Sequence, residues 1–321
     1  MLVGAGVVGA GCRGVEKPAD QTSVQLKWFH QANTAGLYAA DQKGFYTEEN
    51  IGVTLNAGGP DIPFDRVISD LLSGETTFAI VNPDQMFIAR AEGVPVVAIA
   101  VIFQKNPLVY VSLKSSGIKR PQDFVGRKVM LADNAKFQHQ ALMNKLGIDP
   151  ATIEIIPWKR DLTPLVTGQV DLHLVYRTSL AISFEEEGYE LNIIWLDDYG
   201  VHLYADTIIA TEQLVRENPD LVERFLRATL RGWRYAIENR ADAVDMILQY
   251  DTTLDRDHQL RMMAAQTHLI HTGEEKIGWM EDRVWQEMHQ MLLDGGILPQ
   301  STDVAEAYTM QFLNTIYGEA R

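Results

Sequence analysis

Val24-Gln-Leu-Lys-Trp28 alternates apolar and polar side chains as a strand does. Residues 34–43 then carry helical spacing, with Asn33 or Thr34 as cap and Gly44 at the end. The same unit repeats outward. Strands are expected at 53–56, 78–81 and 96–103, with helices at 63–72 and 84–92 closed by Ser73-Gly74 and Gly93. A strand at 109–113 follows, and after Ser115-Ser-Gly117 the pattern restarts. Strands at 128–131, 153–156 and 170–175 then alternate with helices at 136–146 and 161–167. Further strands are read at 193–195 and 204–210, the latter as a return crossing. From Glu212 the chain is nearly all amphipathic helix, at 221–239, 241–250, 254–271, 282–293 and 305–316.

Alternating β and α elements predict an α/β fold with parallel sheets and helices on both faces. The restart predicts two lobes, one of residues 24–113 with 207–321 and one of residues 114–206, plus a helical C-terminal tail packed on the first lobe. Residues 1–23 read as a leader and tether. Ligands in such folds sit at the carboxyl ends of the strands, in the crevice between lobes.

Composition narrows the function. The 321 residues are 46% hydrophobic and 22% charged, as in a soluble globular chain with room for two domains. With Lys+Arg at 28 against Asp+Glu at 43, the net charge of −15 repels phosphate backbones, so no nucleic-acid partner is expected. No internal repeat and no apolar run of membrane-spanning length stands out.

The single cysteine, Cys12, excludes disulfides within the chain and Cys-based zinc sites. It follows a run of small and apolar residues and precedes the polar stretch Arg13 to Ser23, an arrangement that resembles the bacterial lipobox, although Gly9 stands where Leu is usual. That resemblance implies a lipid anchor on Cys12 and an extracytoplasmic protein on the outer face of the membrane. Gly4-Ala-Gly6-Val-Val-Gly9 matches a dinucleotide fingerprint only in letters, because it lacks a preceding strand and Gly14 and Pro18 interrupt any following helix. No G-x-S-x-G, H-E-x-x-H or P-loop is present. His268 and His271 share a helix face without a third ligand nearby, so no metal site is expected.

The segment Leu26-Lys-Trp-Phe-His-Gln-Ala-Asn-Thr-Ala-Gly-Leu-Tyr-Ala-Ala-Asp-Gln-Lys-Gly-Phe-Tyr46 resembles the opening of substrate-binding proteins of ABC importers, in the thiamine-pyrimidine (NMT1/THI5-like) group. Gly58-Gly59-Pro60, Leu72-Ser-Gly74, Gly93-Val-Pro-Val-Val97 and Gly117-Ile-Lys-Arg-Pro-Gln-Asp-Phe-Val-Gly-Arg-Lys-Val129 continue the likeness in order, over residues 24–298. The resemblance implies a two-lobed type II periplasmic-binding-protein fold that closes on a small ligand and delivers it to a membrane permease, without a cofactor. A monomer is expected, because two mobile lobes need a free hinge. Some members of the group are enzymes that build the thiamine pyrimidine from histidine and pyridoxal phosphate at a cysteine-rich iron site. One cysteine cannot make such a cluster, so a carrier rather than an enzyme is expected.

A crevice gripping a planar heterocycle needs aromatic faces and a few amide or carboxylate groups. The strand ends offer Trp28, His30, Gln31 and Asn33; Asn82, Asp84 and Gln85; Gln104; Asn134, Lys136, Phe137 and Gln138; Trp158; and Tyr176, Arg177 and Thr178, with Tyr38 on the first helix. Trp28 and Tyr38 have a core alternative. Asn82, Asp84 and Asn134 have one as helix caps, and Gly58-Gly-Pro60 serves either close backbone approach or a turn. Within the resemblance, riboflavin is the first expected ligand, because relatives with a Trp-Phe-His-Gln-type opening look like flavin carriers and a flavin's π-surface suits two aromatics. A hydroxymethylpyrimidine-type thiamine precursor comes second. A ligand-sensing module and a pyrimidine synthase are the remaining alternatives.

Overall fold

The computed structural model describes residues 17–318 apart from 160, 272–275 and 299. Cys12 and residues 1–16 of the expected leader and tether lie outside the described residues, whereas Asp20 to Ser23, read as tether, belong to the first strand, where they pair in the sheet. The described residues form ten strands: β1 (Asp20–Gln25), β2 (Ile51–Asn56), β3 (Phe78–Val81), β4 (Val96–Phe103), β5 (Leu108–Leu113), β6 (Lys128–Leu131), β7 (Glu154–Pro157), β8 (Leu172–Tyr176), β9 (Leu191–Trp195) and β10 (Ala205–Thr211). They make two five-stranded sheets, ordered β2-β1-β3-β10-β4 and β7-β6-β8-β5-β9.

Both sheets are mixed rather than parallel. β1 runs parallel to β2 and β3, but β10 enters antiparallel between β3 and β4. In the second sheet, β6 is parallel to β7 and β8, whereas β5 is antiparallel to β8 and β9. The reason is the double crossing. A chain that leaves one sheet for the other and later returns enters each new sheet from the opposite end.

β5 pairs only within the second sheet, so the first crossing spans residues 104–107 and not the region after Leu113. β4 and β5 are both buried apolar runs, and such runs do not reveal which sheet will receive them. The two crossings touch, since Asn106 Nδ2 donates to the Tyr204 carbonyl at 3.1 Å.

β1 ends earlier than its alternation suggests. Its ladder with β2 closes at Gln25 opposite Asn56, and residues from Leu26 turn into the space between the sheets. Gly58 permits that turn: a Cβ there would lie 2.1 Å from the Leu26 carbonyl oxygen, so close backbone approach is its role. The helix Leu180–Glu186, absent from the sequence reading, buries Ala181, Ile182 and Phe184; seven residues carry too little periodicity to announce it.

The tail packs on the first sheet. Helix Pro219–Glu238 buries Val222, Phe225, Leu226 and Trp233 along one face, and the Phe225 ring stacks on Phe78 at 3.9 Å. The helix expected at 305–316 is instead a short 3₁₀ turn, Val304–Glu306, and a helix, Gln311–Tyr317. The intervening backbone covers the open edge of β4: Ala98 N–H donates to the Ala307 carbonyl at 2.9 Å, and Thr309 N–H to the Ala98 carbonyl at 3.0 Å. Among the described residues no helix is long and apolar enough to cross a membrane.

Candidate ligand-binding cleft

The carboxyl ends of β1, β3 and β8, together with the start of β10, converge on a cavity of about 640 Å³ between the two sheets. Its floor is a polar knot. Lys27, two residues beyond β1, donates from Nζ to Asn82 Oδ1 at 3.0 Å and to the Tyr176 hydroxyl at 2.6 Å, and forms an ion pair with Asp206. Burial opposes the charge on this ammonium. The Asp206 carboxylate and the Tyr176 hydroxyl overcome it and hold the lysine above its ordinary pKa. Burial pushes the Tyr176 phenol up to about 12, with Lys27 opposing the rise. Asp206 occupies the left-handed region at φ 47°, a strained position for a residue with a Cβ. Lys27, Asn82 and Asp206 belong to the first lobe and Tyr176 to the second, so the knot ties the lobes together.

The mouth is aromatic. Trp28 follows Lys27, Trp158 follows β7, and the two half-buried indoles meet edge to face across the lobes at 5.5 Å and 83°. Phe29 supports Trp28 at 5.4 Å, again edge to face. Between floor and mouth, Asn33 Nδ2 reaches Thr178 Oγ1 across the lobes at 3.5 Å, while Asn33 Oδ1 is buried without a hydrogen-bond partner. Helix Arg256–Ile270 fixes this segment: Ala32 N–H donates to Gln259 Oε1 at 2.8 Å, and Gln266 Nε2 to the Ala32 carbonyl at 2.6 Å. The rim carries Glu186, Glu187, Asp251, Asp255 and His258, with His258 Nδ1 and Glu186 Oε2 2.7 Å apart.

Of the residues nominated from the sequence, Trp28, Gln31, Asn33, Asn82, Trp158 and Tyr176 line the cavity, as do His30 and Gln138. Others stand elsewhere. Tyr38 is fully buried core, its hydroxyl accepting from Thr34 and 2.9 Å from His30 Nδ1, so it supports the cleft from behind. Asp84 is buried in the first turn of helix Pro83–Ala91, where nearby backbone N–H groups and Gln138 from across the lobes favour its charged form against burial. Gln85 accepts from Asn82 N–H at 3.3 Å as part of the helix cap. Gln104 sits on the crossing, donating to the carbonyls of Val101 and Trp279. Phe137 is packed in the core.

Lys136 is exposed and paired with Asp133, Arg177 is held by Glu185, and Thr178 is buried behind Asn33. The Asn134 side chain is outside the described set.

The sequence reading missed Lys27 and Asp206. Each is a lone charge against an apolar strand, and buried charges occur in pairs, so two such residues at strand ends were a legible signal.

The fold is two-lobed with a cavity between its sheets, and comparison with known proteins agrees with that architecture. A family model described as NMT1/THI5 like matches residues 31–243. The chain belongs to the NMT1/THI5-like family. Among relatives of this NMT1/THI5-like protein, a riboflavin-binding protein RibY of Chloroflexus aurantiacus is 23% identical over 91% of this chain and 86% of its own length. A 4-amino-5-hydroxymethyl-2-methylpyrimidine phosphate synthase of Legionella pneumophila is 24% identical over 94% of this chain and 95% of its own. Among solved structures, the periplasmic aliphatic sulphonate binding protein SsuA from Escherichia coli superposes with a TM-score of 0.72 at 13% identity, over 91% of this chain and 92% of that one. That likeness establishes the periplasmic-binding-protein fold.

Proposed function

We propose that this protein is the solute-binding component of an ABC importer and that its ligand is a heteroaromatic vitamin, with riboflavin first. The observation that carries the reading is the meeting of Trp28 and Trp158 from opposite lobes over a cavity of about 640 Å³. Two indoles on separate bodies can part and then close on the two faces of a planar ring, each contributing apolar area and π contact. The volume suits a multi-ring ligand with a polar arm, and a relative's name, riboflavin-binding protein, points the same way. In this reading the crossings at 104–107 and 196–204 are the hinge, an ABC permease is the partner, Cys12 is the lipid anchor, and the protein is an extracytoplasmic monomer without catalytic activity.

A second reading is a carrier for a hydroxymethylpyrimidine-type thiamine precursor, favoured by the Legionella relative's pyrimidine-related name. One experiment separates them. The absorption spectrum of freshly purified protein is recorded, followed by thermal shift with riboflavin and with hydroxymethylpyrimidine. A ligand at 100 times its Kd adds about 2.7 kcal/mol to stability. A yellow preparation or a riboflavin-selective shift supports the flavin, and a shift with the pyrimidine alone moves the assignment to the precursor. No response to either refutes both.

A further inference from the structure

We propose that the cleft selects against anions and so distinguishes a free heteroaromatic alcohol from its phosphate monoester. This specificity rests on the carrier reading and concerns the same cavity. Three independent features of the lining carry it.

First, the one lysine among the described lining residues is saturated. An ammonium has three donors, and Lys27 directs them to Asn82, Tyr176 and Asp206. Asp206 also cancels its charge. Second, two of the helix starts that border the cleft carry an acidic side chain of this chain, whereas those of Lys136–Leu146 and Leu180–Glu186 carry no side-chain cap. At helix Pro83–Ala91 the buried Asp84 carboxyl stands in the first turn beside the Asn82 and Gln85 cap; at helix Arg256–Ile270, Asp255 Oδ1 accepts from His258 N–H at 2.7 Å. Helix N-termini are where backbone N–H groups would otherwise cradle an anion. Third, among the described residues the rim bears four carboxylates, Glu186, Glu187, Asp251 and Asp255, against the imidazoles of His30 and His258 and the Arg261 guanidinium, which lies 3.5 Å from Glu186.

The positive counterpart is an acceptor-rich lining. Asn33 Oδ1 is buried, unpartnered and on the cavity wall, so it calls for an N–H or O–H of the ligand. The rim carboxylates offer further acceptors for hydroxyl groups. A neutral polyol arm or ring N–H satisfies this lining, whereas a phosphate monoester brings about −1.5 to −2 charges at pH 7 and no matching donors.

The test is calorimetric titration with riboflavin and with riboflavin 5′-phosphate, at low and high salt, on the wild type and on Glu187→Lys. The expected result is binding of riboflavin with its phosphate about 30-fold weaker, from repulsion by several nearby carboxylates. The ratio should narrow at high salt and in Glu187→Lys. Equal or tighter binding of the phosphate, or a ratio indifferent to both changes, overturns the proposal while leaving the carrier reading intact.

If riboflavin does not bind at all, the flavin assignment falls, and anion exclusion is read separately from quenching of the cleft tryptophans. That contribution is isolated by difference from Trp28→Phe/Trp158→Phe. Caesium quenching more strongly than iodide at matched ionic strength supports exclusion, and iodide quenching as well as caesium or better refutes it.

Discussion

The floor and the mouth of the cleft both connect the lobes, and they do so with opposite chemistry. At the floor, Lys27 directs its three donors to Asn82, Asp206 and Tyr176, so its ammonium is fully engaged by the protein. At the mouth, Trp28 and Trp158 touch only by edge and face and remain half exposed, with ring surface still to be covered. A saturated, buried polar contact fixes where the lobes meet. An unsaturated aromatic one leaves room for a guest. Substitutions at the floor should therefore act on stability and substitutions at the mouth on affinity.

The sharpest way to break that division is Asp206→Asn. It leaves the Lys27 ammonium buried without its counter-charge, and loss of one partner from a buried pair costs about 3–5 kcal/mol. Urea unfolding should register this even without ligand. Joint replacement with Lys27→Met should recover a substantial part, because the penalty lies in the orphaned charge.

At the mouth, Trp28→Ala and Trp158→Ala should each weaken riboflavin binding by about 30-fold, the scale of about 2 kcal/mol for a central aromatic anchor. Unfolding midpoints should move little. If both variants keep full affinity while Asp206→Asn abolishes binding without unfolding, floor and mouth have exchanged roles.

A smaller effect sharpens the comparison through pH. Burial pushes the Asp84 carboxyl up to about 7 from its ordinary 3.8, against the opposing pull of its backbone N–H donors, Lys27 and Gln138. A raised pKa means the folded state holds this proton more tightly than the unfolded chain does. Its contribution is full below about pH 4 and is lost as pH rises through about 7. Asp84→Asn should remove that component. The stability of the wild type relative to Asp84→Asn should fall by on the order of 2 kcal/mol between pH 5 and pH 7, measured by thermal unfolding at matched ionic strength. A flat or rising difference contradicts the assignment.

Much of the architecture was legible in advance. β3, β4, β6 and the helix Lys136–Leu146 fall where apolar runs and capping glycines placed them, because those patterns are local. What local pattern does not encode is partnership. β5 reads as a continuation of the first unit yet pairs in the second sheet, and the antiparallel insertion of β10 is a consequence of topology.

The candidate site divides the same way. Trp28, Asn82, Trp158 and Tyr176 were found because strand ends collect at one edge of a sheet, and all four line the cavity. Tyr38, Asp84, Gln85 and Phe137 share the same stretches of chain but point into the core or into a helix start. The acidic rim from residues 251–258 was beyond reach, since it comes from a distant tail that folds back over the opening.

The most direct test of the central claim is a titration of riboflavin fluorescence with the purified protein. If Trp28 and Trp158 close on the ring, flavin emission is quenched in a saturable, one-to-one manner, and the quenching disappears in the Trp28→Ala/Trp158→Ala double variant. Unquenched emission at protein concentrations up to the millimolar range, or equal quenching by the double variant, would contradict it.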